Sequence, residues 1–470
     1  MFKRLFLKYM ADEARPMLRL ALPLVLAELG WMTMGIVDTM MVGRQANSAV
    51  AIGAVSLGSV IYYVAAIFGT GLMLGLDTLV SHSYGAGDLE DAHRSLVNGI
   101  YLSFGIAPVL MLLIHFSEPL LRSLNIDSAV LNQTIPYLRA LNWGTLPLLL
   151  YFVFRRYLQG INLAKPVMFS LISANLVNLV GNWALIYGHL GFRAMGTVGS
   201  GWSTCFGRTY MAAVLLIYCA YYDLRYEIGL RQASRWPHMK RVWRLVSLGF
   251  PAATQLGLEV GVFAAVTALV ARLGAVPLAS HQIALNTASF TYMVPLGIGS
   301  AAAVRVGQAL GRKDPHGASR AGWTAMALAA SFMTCTAIAF WLAPQYIVRI
   351  YTFDPVVIKA ASALLSVAAF FQLFDGLQAV ATGALRGTGD THTPMIVMGV
   401  FYWLLGLPLG AYLGLRLGWG AKGLWVGLCV ALVLIGCALV FMWRRRERAF
   451  AAGTLPLPAR LEPPEAPVVF

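Results

Sequence analysis

The chain has 470 residues, 59% of them hydrophobic and 12% charged, and a formal net charge of +15. Soluble domains carry about 25% charged residues, which excludes a water-soluble core of this size. Apolar runs of about 20 residues recur along the whole length, the criterion for membrane-spanning helices.

Taken in chain order, the opening MFKRLFLKYMADEARPMLRL has spread charges and no small-residue cleavage pattern, so no cleavable secretory signal is expected. Twelve membrane helices are then predicted over 17–42, 50–76, 95–117, 132–154, 166–188, 196–221, 243–271, 278–304, 320–342, 356–383, 394–414 and 421–442. Most of the 35 Lys and Arg cluster before the first helix, in Arg225–Arg244, in Arg305–Arg320 and in Arg444–Arg448. That spacing is the positive-inside bias of a polytopic protein and puts both termini in the cytoplasm. The basic excess is thereby accounted for without a nucleic-acid partner. The Pro-rich tail after Gly453 is expected to be disordered.

The second half repeats the first. LALPLVLAELG at 20–30 matches LGFPAATQLGL at 248–258, with Pro23 on Pro251. Gly71, Gly85 and Asp88 recur with the same spacing as Gly297, Gly311 and Asp314. An offset of 226–228 residues gives two halves of six helices. Because six is even, both halves enter the membrane the same way and should be related by an axis along its normal, a transporter arrangement. The predicted organisation is an all-α integral membrane protein: segment 1–16, first lobe 17–221, basic linker 222–242, second lobe 243–442 and tail 443–470.

Ionised side chains at bilayer depth cost roughly 2.5–3.5 kcal/mol on insertion scales and mark ion or substrate pathways. Glu28, Asp38, Glu259 and Asp375 lie well inside predicted helices, whereas Asp77 sits at a helix end and is expected to reach water. The repeat sets Asp38 opposite Val266 and Glu259 opposite Trp31, so the lobes differ in chemistry. Arg208 is the basic residue near the middle of a helix, and an ion pair with Asp38 is the competing structural reading. Glu28 points roughly 80° away from Asp38 around the helix and is at best an accessory. Asn175, Asn178 and Asn182 form a polar stripe on the fifth helix, which serves either helix association or a site. On the eighth helix stand His281, Gln282 and Asn286; a lone histidine there is more often packed than proton-carrying.

No G-x-x-x-x-G-K-[ST] occurs, and GALRGTGDT at 383–391 lacks its lysine, so ATP is not expected to drive this chain. Nor is there an H-E-x-x-H pair or a G-x-S-x-G elbow, and no enzyme or cofactor is expected. Cys205, Cys219, Cys335, Cys429 and Cys437 lie in apolar stretches without metal-ligand spacing and are expected to pack.

GIVDTMMVG, NLVGNWALIYG, ASHQIALNTASFTYMVPLGIGSAAAVRVGQALG at 279–311 and FDGLQAVATGALRGTGDTHTP at 374–394 together resemble the multidrug and toxic compound extrusion (MATE) family, in its bacterial NorM-type branch. The resemblance runs from about Leu18 to Trp443. It implies a monomeric twelve-helix exporter in the bacterial inner membrane, with two lobes in a V, expelling organic cation drugs and dyes against H⁺ or Na⁺. By that resemblance Asp38, Asn178 and Asn182 belong to the first-lobe cavity, whose acids are fewer than in some relatives. Glu259 and Asp375 match the second-lobe cation site and are the candidate sodium ligands, with Gln282 and Asn286 as polar neighbours. Phe371 stands where sodium-coupled NorM-type members carry tyrosine. Phe371 and Phe374 are the candidate aromatic supports for a bound cation. The rival readings are a lipid or oligosaccharide-lipid flippase of related architecture and a non-transporting receptor.

Overall fold

The structure, a computed structural model, describes residues 2–45, 47–123, 126–230 and 236–454. It is built almost wholly of helices: α1 (Phe2–Val42), α2 (Ser48–Gly85), α3 (Leu89–Ser123), α4 (Ser128–Asn142 and Thr145–Gly160), α5 (Ala164–Tyr187) and α6 (Thr197–Tyr226) form the first half. The second half comprises α7 (Met239–Ala271), α8 (Ala275–Gly311), α9 (Pro315–Leu342), α10 (Pro355–Gly387), α11 (His392–Arg416) and α12 (Gly420–Ala451).

Eleven of these are long and apolar enough to cross a membrane, among the described residues. The exception is α4, predicted as one span over 132–154. It breaks at Trp143 and Gly144, and its second piece carries Arg155 and Arg156. The two pieces, of 15 and 16 residues, are each short for a crossing helix, and both arginines are buried. The helices also outrun their predicted ends. α1 starts at Phe2 rather than at 17, and α8 runs to Gly311 rather than 304. Charged interfacial turns continue the helices where a hydropathy window stops. α12 likewise extends to Ala451, and the tail predicted to be disordered lies mainly outside the described residues.

Local signals set several starts. Asp314 accepts from Gly317 N at 2.8 Å ahead of Pro315, and Asp354 accepts from Val356 N at 2.8 Å ahead of Pro355. A capping carboxylate followed by proline suits the orphan amides and fixed φ of a first turn. The repeated G-x-x-D turns match in backbone too. Gly87 and Lys313, equivalent in the repeat, both turn left-handed, at φ +76 and +59.

The halves interlock by the same rule twice. The inner part of α1 (Met17, Leu20, Ala21, Leu24) packs into the core of the second lobe. The equivalent part of α7 (Leu245, Leu248, Ala253) packs into the core of the first. Gly71 on α2 lies on Ala253 of α7, and Gly297 on α8 lies on Val25 of α1, so a Cβ at either would strike a neighbour's backbone. These reciprocal crossings are the pseudo-two-fold in atomic terms. They also modify the expected division, since α1 and α7 each contribute to both lobes.

Hydrogen bonds between the lobes lie at the end that carries the termini. Thr78 Oγ1 donates to the Arg386 carbonyl at 2.6 Å, His82 Nε2 to the Gly387 carbonyl at 2.8 Å, and Gln308 Nε2 to the Gly160 carbonyl at 2.8 Å. Asp77, expected to reach water, is instead fully buried there. It pairs with Arg156 of its own lobe at 3.3 Å and Arg386 of the other at 3.1 Å. The kink of α2 at Met73–Leu74 carries the helix on to Gly85, which places Asp77 inside the bundle rather than at its edge.

Candidate functional site

In the first lobe Asp38 is 8% exposed. Its Oδ1 accepts from Asn182 Nδ2 at 2.6 Å and its Oδ2 from Thr204 Oγ1 at 3.1 Å. Asn182 also donates to Asn178 Oδ1 at 3.1 Å. Close packing of α5 on α6, where Gly181 meets Ser203 and Gly199 meets the Leu185 carbonyl, brings Thr204 to the acid. The amide stripe therefore divides. Asn178 and Asn182 serve the carboxylate, while Asn175 donates to the Gly30 and Leu171 carbonyls and joins α5 to α1.

Arg208 does not pair with Asp38. Its guanidinium lies over the Tyr62 ring, 4.4 Å from the centroid. Asp38 is thus a buried carboxyl whose hydrogen-bond donors are neutral, with the Arg208 charge within electrostatic reach but not paired to it. Arg208→Ala is expected to insert and melt within a few degrees of the parent, losing a contact of about 1–2 kcal/mol. Asp38→Asn should fold equally well and lose drug transport. Detergent melting curves and dye efflux measured side by side check both; collapse of Arg208→Ala would restore the ion pair.

Glu28 finds the cation that Asp38 lacks. It forms a buried ion pair with Arg155 of α4, which assigns it to structure.

In the second lobe Glu259 Oε1 accepts from Tyr292 Oη at 3.0 Å and from Gln378 Nε2 at 3.0 Å. Tyr402 Oη donates to Gln378 Oε1 at 3.3 Å. Tyr402 sits in a stretch of α11 wound as a π-helix over Gly399–Gly406, a departure often found at functional sites. Asp375, 8% exposed, shares the face of α10 with Gln378 and lies within electrostatic reach of Glu259. No ion pair neutralises either acid, and Asp375 accepts no hydrogen bond, among the described residues. Two buried carboxyls without a paired cation can each be neutralised by a proton or by a bound positive charge.

Three expectations need correction. Gln282 and Asn286 are exposed and bond to neither acid; the polar partners come from Tyr292 and Gln378, on α8 and α10. Phe371 packs against Trp425, with ring centroids 6.0 Å apart, and the backbone and Cβ of Phe374 lie against Gly436. The aromatic rings beside the acids are those of Tyr292 and Tyr402. Glu259, flanked by Leu258 and Val260, finds its polar contacts on other helices, the Tyr292 hydroxyl and the Gln378 amide nitrogen. Cys335 and Cys437 are exposed rather than packed, while Cys205 and Cys219 are buried; all five thiols are free.

His281 behaves as a packed residue. Trp425 Nε1 donates to its Nδ1 at 2.9 Å, so Nε2 carries the proton facing Thr267 Oγ1 at 2.8 Å. Thr204, Tyr292 and Tyr402 had no sequence signal, because their partners lie 24 to 166 positions away on other helices. Gln378, three residues after Asp375, was legible as its neighbour on one helical face. Among the described residues no group of three or more His, Cys, Asp or Glu is arranged to hold a metal.

Two interlocked helical lobes with unpaired acids at depth are the architecture of a membrane transporter. The sequence profile of the MatE family matches residues 23–184 and 251–412, once in each half. The chain belongs to the MatE family. It is 37% identical over 449 residues to a probable multidrug resistance protein NorM of Mesorhizobium japonicum, covering 93% of this chain and 95% of that protein. It is 35% identical to the multidrug resistance protein MdtK of Yersinia enterocolitica, over 93% and 96%. Its fold is similar to the eukaryotic MATE transporter AtDTX14, with a TM-score of 0.85 at 20% identity over 95% and 100% of the two chains. A MOP superfamily transporter from Pyrococcus furiosus superimposes with a TM-score of 0.83 at 17% identity, over 93% and 97%.

Proposed function

We propose that this protein exports lipophilic organic cations across the bacterial inner membrane in exchange for inward protons. The observation that carries the reading is the pair Glu259 and Asp375, buried together without a compensating cation. The relatives' names support multidrug substrates. A carboxyl group in a poorly solvated cavity can be neutralised by a proton or by a bound cation, and the two compete. Drug binding then displaces protons, and protons entering from the other side displace the drug. One charge moving inward through 100 mV releases about 2.3 kcal/mol, enough for a gradient of roughly fifty-fold.

The interlobe contacts close the end that bears the termini. With the positive-inside orientation, that end is cytoplasmic and the closed lobes face outward. Alternating access requires these contacts to part.

Sodium is the second reading, favoured by the Tyr292 hydroxyl oxygen beside Glu259. Protons fit better, because Tyr292 and Gln378 both turn a donor hydrogen toward the carboxylate and would repel a metal cation. In vesicles a pH gradient without sodium is expected to drive drug movement, and a sodium gradient at equal pH to drive little. The opposite pair of results would hand the coupling to sodium.

A further inference from the structure

A cavity of about 600 Å³ opens at the inner end between α1, the α4–α5 turn, α6 and α8. Arg15, Arg19, Lys165 and Arg305 line it, with Asp12 as the lining carboxylate. Arg305 is already held by Glu13 of α1, through two hydrogen bonds of 2.8 and 2.7 Å. Arg15, Arg19 and Lys165 have no ion-pair partner among the described residues. Arg15 and Arg19 are four apart on one helix face, a like-charge spacing that destabilises unless an anion lies between them. α5 begins at Ala164 on the cavity wall, which adds the positive end of a helix dipole.

The same helix faces lead from charge into apolar surface. Three to four residues beyond Arg15, Arg19 and Lys165 come Leu18, Leu22 and Phe169, exposed by 47%, 60% and 62%. A basic cavity continued by exposed apolar side chains fits an amphiphile lying along the protein, with its phosphate inward and its chains outward. A soluble phosphate would use the cavity and leave the apolar margin idle.

We propose that this cavity binds the phosphate headgroup of an anionic phospholipid from the inner leaflet, which ties α1 and the α4–α5 turn to Arg305 of the other lobe. Bidentate guanidinium–phosphate bonding from Arg15 and Arg19 supplies orientation, and Lys165 supplies charge. The occupied cavity holds the inner ends of the lobes together and so favours the state closed at that end. The site is independent of what the protein exports.

The test measures binding of a tail-labelled phosphatidylglycerol to the purified full-length protein in neutral detergent. Unlabelled phosphatidylglycerol, phosphatidylcholine and inorganic phosphate serve as competitors. The parent is expected to bind saturably, to prefer phosphatidylglycerol over phosphatidylcholine, and to release it as salt is raised. The variant R15Q/R19Q/K165Q is expected to bind about tenfold more weakly or worse. If that variant misfolds, Lys165→Gln alone should show a loss of about fivefold. Arg122→Gln, at the far end of α3, should bind as the parent does. Equal competition by phosphatidylcholine, displacement by millimolar inorganic phosphate alone, or unchanged binding by the charge variants would each overturn the proposal. The readout involves no transport, so loss of the export reading would leave it standing.

Discussion

Asp77→Asn is expected to destabilise the folded protein by about 3–5 kcal/mol, the cost of leaving buried charge uncompensated. Asp77 is 0% exposed and stands between Arg156 and Arg386, both largely buried. The amide keeps the shape of the carboxylate but removes the negative charge, so two guanidinium groups face one another across the lobe boundary. Arg386→Gln should cost less, because Asp77 keeps Arg156. The expected order of melting temperatures in detergent is parent, then Arg386→Gln, then Asp77→Asn, with the last accumulating poorly in membranes. An Asp77→Asn protein that melts like the parent would show that the cluster contributes nothing to holding the lobes together.

Glu259→Gln and Asp375→Asn are each expected to abolish gradient-driven drug movement while leaving the protein folded. The folding cost is small because glutamine retains the Oε1 that accepts from Tyr292 and Gln378, and a hydrogen bond to a neutral acceptor loses only about 1 kcal/mol. The chemical cost is total, because an amide can neither take up a proton under physiological conditions nor bind a cation by charge. The contrast with Asp77 is the useful part. Substituting one buried acid should remove the protein, and substituting the other two should remove only its work. Ethidium retention in cells, with membrane levels quantified in parallel, separates the outcomes. Full efflux by both variants would discard the pocket as the coupling site.

The sequence by itself determined the membrane character, the six-plus-six repeat and three buried acids that no ion pair neutralises among the described residues. Apolar runs and charged loops are one-dimensional signals, and the G-x-x-D turns with Pro23 and Pro251 survive as spacings. Asp38, Glu259 and Asp375 stood out because an ionisable group at bilayer depth is conspicuous against apolar neighbours. What surrounds them did not stand out. Thr204, Tyr292 and Tyr402 are ordinary residues until α6, α8 and α11 bring them to partners 24 to 166 positions away. Tertiary structure likewise decided which acids are structural. Glu28 and Asp38 look alike on one helix, yet α4 pairs Arg155 with the first while α6 bonds the second through a hydroxyl and lays Arg208 over Tyr62. Asp77 looked like an interfacial residue because the break in α2 and its continuation to Gly85 are invisible to hydropathy. Charge pairing is settled by which helices cross, and these crossings are set by small residues such as Gly71 and Gly297, whose partners lie in the other half of the chain.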